Sequence, residues 1–474
     1  MNTHRILSTR KIKNIWLITF LLLAVLVAVI VVRSFPFGIY VKHKDLDEKI
    51  QCGDTLRILT LYSSTSYFIY KGVAMGYEYE LAARFAESLG IPYVVKVCPN
   101  TVALKEALIR GEGDLVAYSL PVTIEDREIL TYCGRESITH QVIVQRKNRG
   151  DSVLKDVLDL KGKDVYVLDG SRYHERLINL NEEVGGGIDI HLIDKDSITT
   201  EELIEEVAVG IIPYTVSDVH TAELNKTYFN NIDVSLQISF SQRLSWAVNK
   251  DCPQLVDKLN EWFANNNSTS TISALTKRYF EQSKRPIQSP ILSIVGNRIS
   301  QYDDIFKEYA KGLGWDWRLL ASIAYQESKF DTAQVSWAGA VGIMQLMPPT
   351  AAAFNLTPAE ARNPKKSIDA ATRFIRVLIN IFKAIPDSKE RVKFVLAAYN
   401  AGHNHVFDAM ALARKYGRDP HKWDGSVAQY VLWKSNPDYY NDPVVKFGYL
   451  RGNETFDYVV EVLERYEYYK EKIK

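Results

Sequence analysis

The chain has 474 residues, too many for one hydrophobic core, which points to two or three domains. Its 46% apolar and 24% charged residues are those of an ordinary globular protein and exclude extensive disorder. Lys and Arg (58) nearly cancel Asp and Glu (57), so no whole-chain charge argues for a nucleic acid partner.

The N-terminus carries the first clear pattern. Arg5, Arg10, Lys11 and Lys13 precede an apolar run from Ile15 to Val32 that only Thr19 interrupts. As a helix this run would span roughly 27 Å, close to a bilayer core. The basic flank stays in the cytoplasm, sending everything after Val32 across the membrane. R-S-F-P-F follows where a signal peptide would offer small residues. Residues 1–33 therefore read as an uncleaved anchor, with a cleaved signal as the alternative. Either way the protein is expected to be periplasmic and, with an anchor, membrane-associated. Cys52, Cys98, Cys133 and Cys252 form no CxxC and no Cys/His cluster, which argues against zinc. They could pair in an exported protein, or stay as buried thiols.

From Gly53 to about Phe280, short β-rich runs alternate with helices. R-I-L-T-L-Y (57–62), P-Y-V-V-K-V (92–97) and D-L-V-A-Y (114–118) read as strands, with a helix over 77–90. D-V-Y-V-L (164–168), I-D-I-H-L-I (188–193) and I-P-Y-T-V (212–216) repeat the pattern, with a helix over 199–207. Alternation of this kind predicts parallel sheets covered by helices, and two successive units predict an α/β domain of two lobes. A ligand is then expected in the cleft between the lobes.

Several segments of this region, in order, resemble the type 3 extracellular solute-binding family. They are G-Y-E-Y-E-L-A (76–82), G-D-L-V-A-Y-S-L-P-V-T-I-E-D-R (113–127), D-L-K-G-K-D-V-Y-V-L-D-G-S (159–171) and Y-T-V-S-D (214–218). The resemblance implies a periplasmic-binding-protein-like domain over residues 53–282. It also implies that Arg127 clamps a ligand carboxylate, that Asp218 takes an ammonium, and that Ser171 lends donors at a helix start. An amino acid or a stem peptide would be the ligand. Pro121 departs from the small polar residues usual at that stretch.

Residues 283–297 hold two prolines and a glycine and read as a linker. Beyond them the texture is nearly all helix, predicted over 302–310, 318–327, 368–383, 390–400 and 454–466. In L-A-S-I-A-Y-Q-E-S (320–328), Leu320, Ile323, Ala324 and Glu327 share one helical stripe. A carboxyl on an apolar stripe loses water, which favours its protonated form and suits an acid catalyst. Q-V-S-W-A-G-A-V-G-I-M-Q-L-M-P-P-T-A (334–351) follows, with an apolar wall at Met344, Leu346 and Met347 and one amide at Gln345. A-A-Y-N-A-G (397–402) closes a helix on Gly402.

Together with P-D-Y-Y (437–440) and G-Y-L-R-G-N-E-T-F-D-Y-V (448–459), these motifs resemble the soluble-lytic-transglycosylase domain, a mainly α, lysozyme-like fold. The resemblance covers residues 298–474. The order of anchor, solute-binding-like domain and helical domain resembles the layout of membrane-bound lytic transglycosylases, relatives of which associate with the outer membrane. It implies cleavage of the MurNAc–GlcNAc bond of peptidoglycan with a 1,6-anhydroMurNAc end and no cofactor. Glu327 would be the catalytic acid and base, with Ser336, Met344, Gln345, Tyr399, Asn400 and Glu454 near the sugars. For Glu454 a structural ion pair is an equal reading. His403 and His405, without a third ligand in view, read as turn residues rather than a metal or base pair. Competing readings are a lysozyme-type hydrolase, which needs a second carboxylate, and a receptor that binds peptidoglycan or an amino acid without cutting.

Overall fold

A computed structural model describes residues 50, 54–147, 153–194, 198–266, 270–282 and 298–473. The apolar run over 15–32, Cys52 and the 283–297 segment lie outside these residues. Among the described residues no helix is long and apolar enough to cross a membrane. Cys98 and Cys133 are buried, unbridged thiols.

Lobe one contains β1 (Leu56–Leu61), β2 (Phe68–Tyr70), β3 (Val73–Met75), β4 (Tyr93–Cys98), β5 (Leu115–Pro121) and β6 (Leu130–Thr139). Helix α1 (Tyr77–Leu89) covers its sheet with Leu81, Ala82, Phe85 and Ala86, and Gly90 ends it in the left-handed conformation. The chain then crosses through His140 to lobe two, with β7 (Gln141–Arg146), β8 (Asp164–Leu168), β9 (Asp189–Ile193), β10 (Tyr214–Asp218) and β11 (Ile232–Asp233). Helix α2 (Thr200–Val209) starts on a reciprocal cap in which Thr199 and Glu202 satisfy each other's backbone N–H. A second crossing returns the chain to lobe one as β12 (Gln242–Asn249).

Both large sheets are mixed, not parallel. The first runs β4-β1-β5-β12-β6 and the second β11-β7-β10-β8-β9. β1 pairs in parallel with β4 and β5, and β8 with β9 and β10, as the β/α alternation predicts. β12 is antiparallel to β5 and β6, and β7 to β10. These antiparallel strands flank the two crossings, where the chain passes between lobes without an intervening helix, so the alternation gives no sign of them.

The helical domain is built on α3 (Trp317–Ser328), α4 (Ser388–Ala401), α5 (His403–Lys415) and α6 (Gly452–Lys472). Asp316 caps α3 by accepting the Arg318 N–H at 2.9 Å. Leu320, Ile323 and Ala324 are fully buried in a core shared with Met344, Leu396 and Val462. This burial seats α3 against α6 and fixes which way Glu327 faces.

Strands β2 and β3 form a hairpin that joins neither large sheet. Its two-residue turn, Lys71-Gly72, has φ of 48° and 80°, the mirror-image turn that matches strand twist. The hairpin leans on the helical domain, with the Tyr70 ring 5.3 Å from that of Trp337. A second contact is made by α2. Its Glu201 accepts from Tyr449 at 3.0 Å and its Glu205 from Asn453 at 2.7 Å, while Glu201 also accepts from Ser64 of lobe one at 2.5 Å. Arg451 lies 3.8 Å over the Tyr228 ring and donates to Asn225 at 3.1 Å.

Candidate active site

Glu327 stands in the last turn of α3 with only 6% of its side chain exposed. Two groups reach it. The Tyr458 hydroxyl, from α6, donates to Oε1 at 2.8 Å. Lys71, at the hairpin tip, brings Nζ to 3.2 Å from Oε2 and 3.4 Å from Oε1. The Lys71 side chain is itself 9% exposed, so this is a buried ion pair. The apolar stripe of α3 described only half of this environment; the rest arrives from the hairpin and from α6. Burial, and then the Glu327 carboxylate, push the Tyr458 hydroxyl well above its ordinary range, so it remains a donor.

The loop after α3 supplies Gln345, Leu346 and Met347 to a small cavity that Lys71 also lines. Ser336 holds a tight turn, its hydroxyl accepting the Ala340 N–H at 3.0 Å. Gly342 sits at φ +81°, and a Cβ there would lie 2.0 Å from the Ala361 carbonyl oxygen, so no other residue fits. Gln345 also has a positive φ of 46°, a costly conformation held by its amide donating to Gly342 at 2.8 Å and Gln334 at 3.1 Å. Met344 is fully buried, and its carbonyl accepts from Tyr399 at 2.8 Å. The Lys71 ammonium lies 5.8 Å from the centre of the Tyr399 ring.

The remaining sequence-predicted residues divide. Gln345 and Tyr399 line one small cavity with Lys71, Thr350 and Gly402. Asn400 and Glu454 line a second one, which Tyr70 and Trp337 share. Asn400 accepts from Thr455 at 2.8 Å, and Glu454 pairs with Arg451 at 3.3 Å, the structural ion pair the sequence left open. The hairpin thus lends Ile69 and Tyr70 to one cavity and Lys71 to the other, and its tip meets Glu327. Among the described residues no cluster of three or more His, Cys, Asp or Glu is placed to hold a metal.

Between the lobes lies a cleft of about 1030 Å³. Asp218 lines it, but its carboxylate already pairs with the Arg172 guanidinium and accepts from Tyr173 at 3.1 Å. Ser171 is absent from the lining; its hydroxyl caps a helix by accepting the His174 N–H at 3.2 Å and donates to Leu168 at 2.7 Å. Arg127 is exposed and is also absent from the lining. The short helical turn Asp126–Glu128 rotates it outward and turns Asp126 inward, where it meets Lys105 at 2.5 Å. The Lys and Arg residues that line the cleft are Lys105, Arg135, Arg172 and Lys226.

Sequence reasoning missed Lys71, Tyr458, Trp337 and Arg451. Tyr458 was within sight, since it follows Glu454 by one helical turn inside the quoted closing motif. Lys71 carried a weaker signal, a K-G pair between two short β-rich runs.

Comparison with known proteins bears on the whole arrangement. Residues 56–282 match the family described as bacterial extracellular solute-binding proteins, family 3. Residues 304–422 match the transglycosylase SLT domain. The membrane-bound lytic murein transglycosylase F of Desulfosudis oleivorans is 32% identical over 427 residues, 90% of this chain and 92% of that one. The protein of the same name from Pseudomonas fluorescens Pf0-1 is 30% identical over 432 residues, 89% of this chain and 85% of its own. That from Aeromonas salmonicida is 29% identical, covering 90% and 84%. With both domains matched in this order and a relative aligned over nine-tenths of its length, the chain belongs to the membrane-bound lytic murein transglycosylase F family.

Proposed function

We propose that Glu327 is the single acid and base of this peptidoglycan lytic transglycosylase, and that the hairpin bearing Lys71 blocks it at rest. As a protonated acid, Glu327 gives its proton to the oxygen between MurNAc and GlcNAc, and the C1–O bond breaks. The resulting carboxylate then takes the proton of the MurNAc 6-hydroxyl, whose oxygen bonds to C1. Glu327 ends as it began, a 1,6-anhydro ring closes, and no water is consumed. Because the nucleophile belongs to the same sugar, its effective concentration is high without a second carboxylate to activate water. Glu454 is engaged with Arg451 and does not supply one. Tyr458 orients the acid, while Met344 and Gln345 shape the sugar wall.

The observation that carries the reading is the buried Lys71–Glu327 pair. A carboxylate bonded to an ammonium has no proton to give, and the hairpin stands where the glycan must lie. An amino acid or stem peptide in the interlobe cleft is the signal that withdraws the hairpin. The route is short: Ser66 lines the cleft and donates to the buried Glu78 at 2.8 Å, two residues before β2 begins. The basic and apolar N-terminus attaches the protein to a membrane, facing the periplasm.

Digestion of purified peptidoglycan, read by mass spectrometry, tests the chemistry. The mechanism yields muropeptides about 18 mass units lighter than hydrolysis products, the mass of the water not added. They should vanish with Glu327→Gln. Full-mass reducing ends would mean a hydrolase instead.

A further inference from the structure

The sequence left His405 as a turn residue. In the structure its side chain is buried where the helical domain meets the hairpin, at 1% exposure. Beneath it lies Lys434, fully buried, whose Nζ donates to Asp408 at 2.5 Å and to His405 Nδ1 at 2.9 Å. A buried ammonium is tolerated only when paired, and Asp408 supplies the charge. Asp408 is itself fixed, accepting the backbone N–H groups of Lys446 and Phe447 at 2.9 Å each.

This arrangement decides where the imidazole carries its proton. Nδ1 accepts from Lys434, so a neutral ring must carry hydrogen on Nε2. Burial, and then the Lys434 charge, hold His405 well below its ordinary value and keep the ring neutral. Nε2 points out of the helical domain and lies 3.0 Å from the carbonyl oxygen of Ile69, in strand β2 of the hairpin. Alongside, Gly402 lets the hairpin tip come close. It has φ +96°, and a Cβ there would lie 3.2 Å from the Gly72 nitrogen.

A hairpin with three-residue strands and no neighbouring sheet does not hold its place alone. We propose that His405, set by Lys434 and Asp408, is a receptor on the helical domain for one backbone carbonyl, and that its occupant is Ile69 of the chain's own hairpin. It acts as a positioning residue. By holding β2 it places Lys71 against Glu327, and it touches neither reacting group. The inference rests on the reading of the hairpin as a block but adds a separate anchor to it.

Hydrogen exchange of the full chain, followed on peptides spanning residues 67–75, tests the anchor. His405→Phe removes the donor and keeps a ring; exchange across the hairpin should rise about fivefold, the weight of one neutral hydrogen bond. His405→Gln, which keeps an N–H at similar reach, should restore most of the protection. Unchanged hairpin exchange in His405→Phe, with α5 exchanging as in the parent, would overturn the proposal. A second measurement needs no substitution of His405. Diethyl pyrocarbonate, which acylates free neutral imidazole nitrogens, should spare His405 in the parent and label it once residues 68–75 are replaced by a Gly-Ser linker. Continued silence of His405 in that variant would equally overturn it. If the linker variant turns over peptidoglycan no faster than the parent, the blocking reading falls instead. If turnover rises while hairpin exchange ignores His405, only the anchor falls.

Discussion

Lys71 and Glu327 are 256 residues apart in the chain and 3.2 Å apart in space. One belongs to the solute-binding domain and the other to the transglycosylase domain. Neither domain explains the pair by itself. A lysine in the left-handed conformation at a hairpin tip is an unfavourable choice for local structure, where Asn or Gly is usual. The pairing with Glu327 accounts for it.

Tyr458→Phe should separate positioning from packing. The ring stays buried against α3, while the 2.8 Å hydrogen bond to Glu327 is lost. A bond to an ionised group is worth about 1.5–3 kcal/mol, so kcat should fall roughly tenfold or more with KM nearly unchanged. Steady-state kinetics on purified glycan strands would show this split; a rise in KM alone would speak against it.

Gly342→Ala should cost the helical domain several kcal/mol. Its Cβ would meet the Ala361 carbonyl at 2.0 Å, and its φ of +81° penalises any side chain. Gly339 has φ +90° but nothing within 4 Å, so Gly339→Ala should cost only about 1 kcal/mol. Thermal unfolding of the two variants should rank them in that order.

Asp457 gives the chain a pH dependence. Burial first, then Glu205 across the domain contact and Glu461, raise its carboxyl from 3.8 to about 6. A carboxyl raised on folding binds a proton that the unfolded chain releases. Its contribution is therefore full below its unfolded value near 4 and is lost as pH rises through 6. Asp457→Asn should stabilise the protein above pH 6 and make no difference below pH 4. The burial is only partial, because the residue as a whole remains exposed, so solvent screening reduces the gain at pH 7 to about 1 kcal/mol. Denaturant titrations at pH 4 and 7 would measure it.

The general plan was legible because it is written in local pattern. The stripe Leu320, Ile323, Ala324, Glu327 needs only a helical period, and the helix Trp317–Ser328 follows it. The wall from Ser336 to Met347 depends on glycines whose spacing is visible in the chain. What stayed hidden depends on contacts between distant segments. No periodicity in F-I-Y-K-G-V-A-M reveals that its lysine ends beside Glu327. His405 looked like a turn residue because its partners, Lys434 and Ile69, lie 29 residues after and 336 before it. Arg127 lies outside the cleft lining for a local reason that the sequence pattern does not show: one helical turn faces it outward and turns Asp126 inward.

The most direct test is the ligand-free rate at which the full chain releases anhydro-muropeptides, compared between the parent and Lys71→Ala. Loss of the ammonium frees the Glu327 carboxyl and one charge-assisted contact holding the hairpin. The rate should rise roughly tenfold, with the products unchanged. An equal or lower rate in a folded Lys71→Ala protein would contradict the account, because Lys71 would then not restrain Glu327.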